Sequence, residues 1–143
     1  PFRRAIEDGL IDPKAMISIG IKGPLNSAQD LAFAKDRGVT IITYEQIFRD
    51  GQHTLQHFIK DLAQREAYLT FDTDVVDPAF APGTGTPSIG GFTSAEILAL
   101  LRTFRGVNII GADVVEVLPD RDPAGITSLL AAHVIFEVIA LTA

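Results

Sequence analysis

The stretch Tyr68-Leu-Thr-Phe-Asp72-Thr-Asp74-Val-Val-Asp77-Pro78-Ala-Phe-Ala-Pro82-Gly-Thr-Gly85-Thr86-Pro87 decides how this chain is read. An apolar strand runs into two carboxylates one residue apart and then into a loop rich in proline and glycine. On a strand, residues i and i+2 point to the same face, so the spacing predicts that Asp72 and Asp74 converge. Converging carboxylates repel each other unless a cation or a shared proton lies between them. Oxygen ligands of this kind suit a hard or borderline divalent ion. The competing reading is a solvated strand terminus with Asp77 capping a turn. Three prolines (Pro78, Pro82 and Pro87) stiffen the exit loop, and rigid loops at the carboxyl ends of parallel strands are where α/β folds place their sites. The Gly83-Thr-Gly85 turn is no phosphate loop, because neither a Gly-Lys-Ser/Thr sequence nor a helix follows it.

Outward from this stretch, apolar β-branched runs alternate with helical patterns, the mark of a parallel α/β sheet. Strands are expected at residues 17–21, 39–43, 67–72 and 107–115, with the second buried on both faces. A helix is expected from a Ser27 cap to Arg37, closed by Gly38. Another helical stretch follows residue 43, interrupted at Gly51 and resuming over 54–65. Thr93, with Glu96 three residues on, forms a capping box for a helix reaching Thr103. Pro123 is placed near the first turn of a last helix that runs to about Leu141. That helix is apolar nearly all round, which predicts cover by neighbouring structure rather than by water. The irregular stretch 76–92 is too long for a plain connector, and loops of that length are usually functional.

Bulk properties exclude several classes. The chain has 143 residues, a hydrophobic fraction of 47% and a mean hydropathy of +0.25, so it is long and apolar enough to bury a core as one domain. No apolar run approaches the ~20 residues a membrane span requires. Twelve basic against 18 acidic residues give a net charge of −6, which leaves no basic stripe for nucleic acid. The lack of cysteine removes thiolate ligands and disulfides and suits a cytoplasmic protein. The start, Pro1-Phe-Arg-Arg, has neither Met nor a signal-peptide layout and reads as mid-sequence.

The run from Phe71 to Phe92 resembles the metal-binding signature of the ureohydrolases, the family of arginase, agmatinase and related guanidino-acid hydrolases. Pro1-Phe-Arg-Arg-Ala-Ile-Glu-Asp-Gly-Leu-Ile-Asp is similar to a segment of the agmatinase branch. Gly111-Ala-Asp-Val-Val-Glu116-Val-Leu-Pro119, with Asp122-Pro-Ala-Gly-Ile-Thr127, is similar to the family's last active-site strand and the helix after it. The resemblance covers nearly the whole chain. It implies a three-layer, doubly wound parallel sheet of the arginase type, with this chain as its C-terminal part and the N-terminal half absent. It also implies that Asp72 bridges two divalent ions, usually Mn2+, and that Asp74 ligates one of them. Thr86 and Glu116 would line the substrate pocket, Glu116 facing the guanidinium through charge-assisted hydrogen bonds. The implied reaction is hydrolysis of a small guanidino substrate to urea and an amine, with the ions making hydroxide available near neutral pH. Homo-oligomers, trimers or hexamers, are common in the family.

Two family motifs that carry the remaining metal ligands, Gly-Gly-Asp-His and Asp-Ala-His-x-Asp, are absent. The three histidines do not replace them. His53 and His57 share the i, i+4 spacing of metal ligands, yet their polar context reads as a surface helix. His133 reads as a packed helix residue with a satisfied hydrogen bond. This chain alone is therefore expected to be inactive, the full-length protein active. Two other readings stand beside this one. The Phe71-Asp-x-Asp run also resembles haloacid-dehalogenase-type phosphatases, with Asp72 as nucleophile and Mg2+ bound, but no lysine follows Lys60 to complete that site. The chain could equally be a non-catalytic fragment or subunit that acts through assembly.

Overall fold

The structure is a computed structural model that describes residues 1–27, 29–62 and 65–143. It forms two compact units, Pro1–Phe58 and Ile59–Ala143. In the first, helix α1 (Phe2–Glu7) precedes strand β1 (Ile17–Ile21), helix α2 (Ala32–Arg37) and strand β2 (Thr40–Thr43). β2 pairs parallel to β1, with Ile17 opposite Thr40 and Ile19 opposite Ile42, and α2 lies in the crossover that a parallel pair requires. Helical path then continues through α3 (Tyr44–Gln46), a wide π turn at Ile47–Gly51, and α4 (Gln52–Leu62).

Three sequence expectations are corrected in this unit. Ser27 does not cap a helix: the Asp30 carboxylate accepts from the N–H groups of Asn26 and Ser27 and from the Ser27 hydroxyl, which closes a local turn. Side chains that bond their own backbone in this way compete with helix formation, and α2 starts only at Ala32. Gly51 does not break the helical path. A Cβ there would lie 2.6 Å from the Ile42 side chain, so glycine lets the π turn pack directly on β2. In β2 only Ile42 is fully buried, not both faces. The expected helical residues Ala63 and Gln64 lie outside the described residues.

The second unit pairs β3 (Glu66–Asp72) in parallel with β4 (Asn108–Val115). Between them run a 3-10 turn (Thr73–Val75), the loop 76–92 and helix α5 (Ser94–Arg102). The Thr93–Glu96 capping box forms as expected, with Glu96 N–H donating to Thr93 Oγ1 at 3.2 Å and Thr93 N–H to Glu96 Oε2 at 2.8 Å. Helix α6 (Ile126–Thr142) packs on β4 and α5 and is tied to α5 by the Arg102–Glu137 ion pair. Leu130, Ala131, Val134 and Val138 recur at helical spacing and bury one side of α6. Its opposite side is not covered by this chain: Leu129 is 62%, Phe136 66% and Ile139 61% exposed. His133 also lies exposed on α6 rather than packed.

The loop 76–92 is closed on itself and then pinned. Asp77 N–H donates to Phe92 O at 2.9 Å, and the Asp77 carboxylate accepts from Ala79 and Gly90 N–H, so the ends meet as in a compact Ω-type loop. Val76, Ala81 and Phe92 fill its interior. Its far side is held by Gly83, whose N–H donates to Thr127 Oγ1 at 2.7 Å and whose carbonyl accepts from Leu118 N–H at 2.8 Å. A Cβ on Gly83 would lie 2.4 Å from Asp122 Cβ, so no larger residue fits. Pro123 lies near the first turn of α6, as expected, and the start of the helix is capped by Asp122: the buried Asp122 carboxylate accepts from Thr127 N–H, Ser128 N–H and the Ser128 hydroxyl.

Two outcomes follow for this clamp. Gly83→Ala is expected to destabilise the protein by about 1–3 kcal/mol, the range for overpacking, read from denaturant unfolding. Burial opposes the Asp122 charge, but the donors from Ser128 and Thr127 outweigh it and hold the carboxyl below the usual range. A depressed folded pKa contributes stability that is present above the unfolded value and is lost as pH falls through the folded one. Asp122→Asn should thus lower the melting temperature at pH 7, and the gap to wild type should narrow below about pH 4. A gap that widens in acid would reject this role.

Candidate functional site

The carboxyl ends of β3 and β4 coincide, with Asp72 opposite Val115. Asp72 is the last residue of β3, and the chain then enters the 3-10 turn. Asp74 therefore does not share a pleat with Asp72, as strand spacing suggested. The two converge because the turn folds back, with Asp74 N–H donating to Asp72 Oδ1 at 3.1 Å. Between them Thr73 points inward, fully buried, and its hydroxyl donates to Val115 O at 3.1 Å. That bond fixes the end of one strand against the end of the other.

The loop and the end of β4 bring the other expected residues to the same place. Thr86 Oγ1 donates to Asp74 Oδ2 at 2.6 Å. Glu116 follows β4 directly and is exposed. Its backbone sits at φ +62°, a left-handed conformation that costs a non-glycine residue roughly 1–2 kcal/mol. A Cβ on Gly85 would lie 3.2 Å from Glu116 Oε2, so the glutamate reaches back under the loop. Packing around the Asp72 carboxylate pushes its pKa up, and the charges of Asp74 and Glu116 add to this; the Asp74 N–H acts in the opposite direction. The residue as a whole stays open to solvent at the strand tip.

Three acidic groups that repel one another beside an ordered loop attract a cation, either a divalent ion or a guanidinium. Asp72 and Asp74 supply the hard oxygen donors that Mn2+ takes. Among the described residues no three His, Cys, Asp or Glu side chains form a group able to hold an ion. Sequence reading missed Gly83, Asp122 and Thr127, which fix the loop, and Thr84, whose buried hydroxyl has no hydrogen-bond partner. An Asp followed five residues later by Thr carries no standard capping signature, so no local pattern pointed to the clamp. The buried Thr84 hydroxyl has no sequence signal either.

The arginase-family model matches residues 1–141. The chain belongs to the arginase family. It is 47% identical over 144 residues to a guanidinopropionase of Pseudomonas aeruginosa, matching 100% of this chain and 45% of that protein. It is 41% identical to an agmatinase of Enterobacter, over 99% of this chain and 44% of the relative. Among solved structures, proclavaminate amidino hydrolase from Streptomyces clavuligerus superposes with a TM-score of 0.90 at 43% identity, covering 99% of this chain and 48% of that one. The fold is thus the arginase-like α/β fold expected from the sequence. The chain spans about half the length of the curated relatives it matches. An arginase-family match over this length leaves the phosphatase reading without support.

The backbone at Glu116 yields its own outcome. Glu116→Gly removes the left-handed strain but adds chain entropy to the unfolded state, about 0.5–1 kcal/mol. The variant should melt at or above the wild-type temperature. A clear loss of stability would show that the glutamate side chain, not function, holds this conformation.

Proposed function

We propose that the full-length protein hydrolyses a small guanidino compound to urea and an amine, as an agmatinase-like ureohydrolase. The observation that carries this reading is the convergence of Asp72, Asp74, Thr86 and Glu116 at the paired strand ends of an arginase-family chain. In it, Asp72 and Asp74 hold a pair of divalent ions, Mn2+ in the first instance. Such ions, when bound, supply Lewis acidity that makes water nucleophilic near neutral pH. The crowding that raises the Asp72 pKa is relieved by a bound cation, which favours loading. The Thr86 hydroxyl, donating to one Asp74 oxygen, fixes the orientation of that carboxylate. Glu116 orients the planar guanidinium by charge-assisted hydrogen bonds. This chain lacks a complete ligand shell of its own, so we propose that it is inactive in isolation. A non-catalytic piece that acts only through assembly is the second reading, favoured by the open side of α6.

We further propose that the exposed Leu129, Phe136 and Ile139 are covered by like subunits, giving a homo-oligomer, and that the protein works in the cytoplasm without nucleic-acid or membrane partners. Among the described residues no helix is long and apolar enough to cross a membrane.

Urea release by the full-length protein tests the activity across 3-guanidinopropionate, agmatine, 4-guanidinobutyrate and arginine. Asp72→Asn and Asp74→Asn should each cost at least about 100-fold in kcat. Glu116→Gln should cost about 10–100-fold in kcat/KM, the worth of a hydrogen bond to a charged group. Absence of urea from all four compounds, with Mn2+ supplied, would end the proposal. Phe136→Asp should lower the oligomer mass in light scattering; an unchanged mass places the interface elsewhere.

A further inference from the structure

Helix α4 carries a second group of metal-ligating side chains, within the unit Pro1–Phe58, which the proposed hydrolysis does not use. His53 and His57 stand one helical turn apart and are both exposed. Their Nε2 atoms are 3.3 Å apart while their ring centroids are 4.4 Å apart, so the rings converge through their nitrogen edges. A neutral imidazole has one N–H and one lone pair. In this contact one Nε2 therefore donates to the lone pair of the other.

A metal ion can take the place of that shared proton. Zinc–imidazole bonds of about 2.0–2.1 Å spanning the observed 3.3 Å give an N–Zn–N angle of about 104–111°, close to tetrahedral. Both rings are exposed, so small side-chain rotations suffice to aim both lone pairs at one ion. The helix itself is held in place: Leu55 and Phe58 are buried, which leaves the histidine side to solvent. Pre-organised ligands lose little entropy on binding. Among the described residues no third His, Cys, Asp or Glu completes the group, so water fills the remaining positions and the ion exchanges readily.

We propose that His53 and His57 form an open bidentate site for a borderline divalent transition ion, with Zn2+ the best fit. Imidazole favours Zn2+, Ni2+ and Cu2+, whereas Mn2+ stands lowest in the Irving–Williams order. The site is thus chemically separate from the oxygen donors Asp72 and Asp74, and it does not rest on the proposed hydrolysis.

Zinc chloride titrated into the protein, followed through the histidine ring resonances by NMR, tests the site. The signals of His53 and His57 are expected to move together to an end point at one equivalent, with His133 unmoved. Each of His53→Gln and His57→Gln should weaken that step tenfold or more, because the chelate is lost. Both changes lie on the solvent side, so folding is preserved. As a second readout, Zn2+ should raise the melting temperature of the wild type more than that of the double variant, since only the helix brings the two rings together. A zinc-dependent shift of the His57 ring that keeps its full affinity in His53→Gln, or of the His53 ring in His57→Gln, overturns the proposal. So does a His133 shift equal to that of the pair, which would mark independent surface imidazoles.

Discussion

Gly83 is where the C-terminal unit is tied together. Its N–H bonds to Thr127 and its carbonyl to Leu118 N–H. Its missing side chain lets Asp122 approach within a distance no Cβ would allow. Asp122 in turn satisfies the orphan N–H groups at the start of α6. One small residue thereby joins the long loop, the end of β4 and the last helix. The positions of Gly85 and Thr86 depend on it, because the loop has no helix of its own to hold them. Loops that carry chemistry are mobile unless a scaffold positions them, and here the scaffold is a buried carboxylate network.

That order works against electrostatics. Asp72, Asp74 and Glu116 are held near one another although the charges of Asp74 and Glu116 raise the cost of ionising Asp72. Glu116 adds a left-handed backbone. Strain and like-charge crowding at one spot persist only when the surroundings over-determine the geometry. The Thr73–Val115 bond, the capped α6 and the closed loop do so. A cation between the carboxylates would convert the same crowding into affinity, which is why this end of the sheet carries the functional reading.

Helix α6 shows a second tension. Its sequence is apolar on every side, and this chain buries only the side that faces β4 and α5. This chain by itself leaves Phe136 and Ile139 exposed, and covering them is worth about 25 cal/mol for each Å² of apolar surface. Uniform hydrophobicity told that the helix needs cover without telling where the cover comes from.

Much of this molecule was legible in local pattern. Alternation of β-branched runs with helical stretches predicted the parallel strands to within a residue, since burial of a strand and its period leave a direct trace in residue order. The Thr93–Glu96 box was equally local, and so was the acidic pair at the end of β3. What needed tertiary structure were the contacts between distant positions. Asp72 meets Asp74 through a turn rather than a pleat, and Gly83 meets Asp122 and Thr127 across about 40 residues of chain. Ser27 loses its helix to Asp30, and His133 faces solvent on a helix whose composition suggested burial. Periodicity records how a residue relates to its near neighbours along the chain. Which side of a helix is covered, and which loop closes over which carboxylate, depends on what folds up against it.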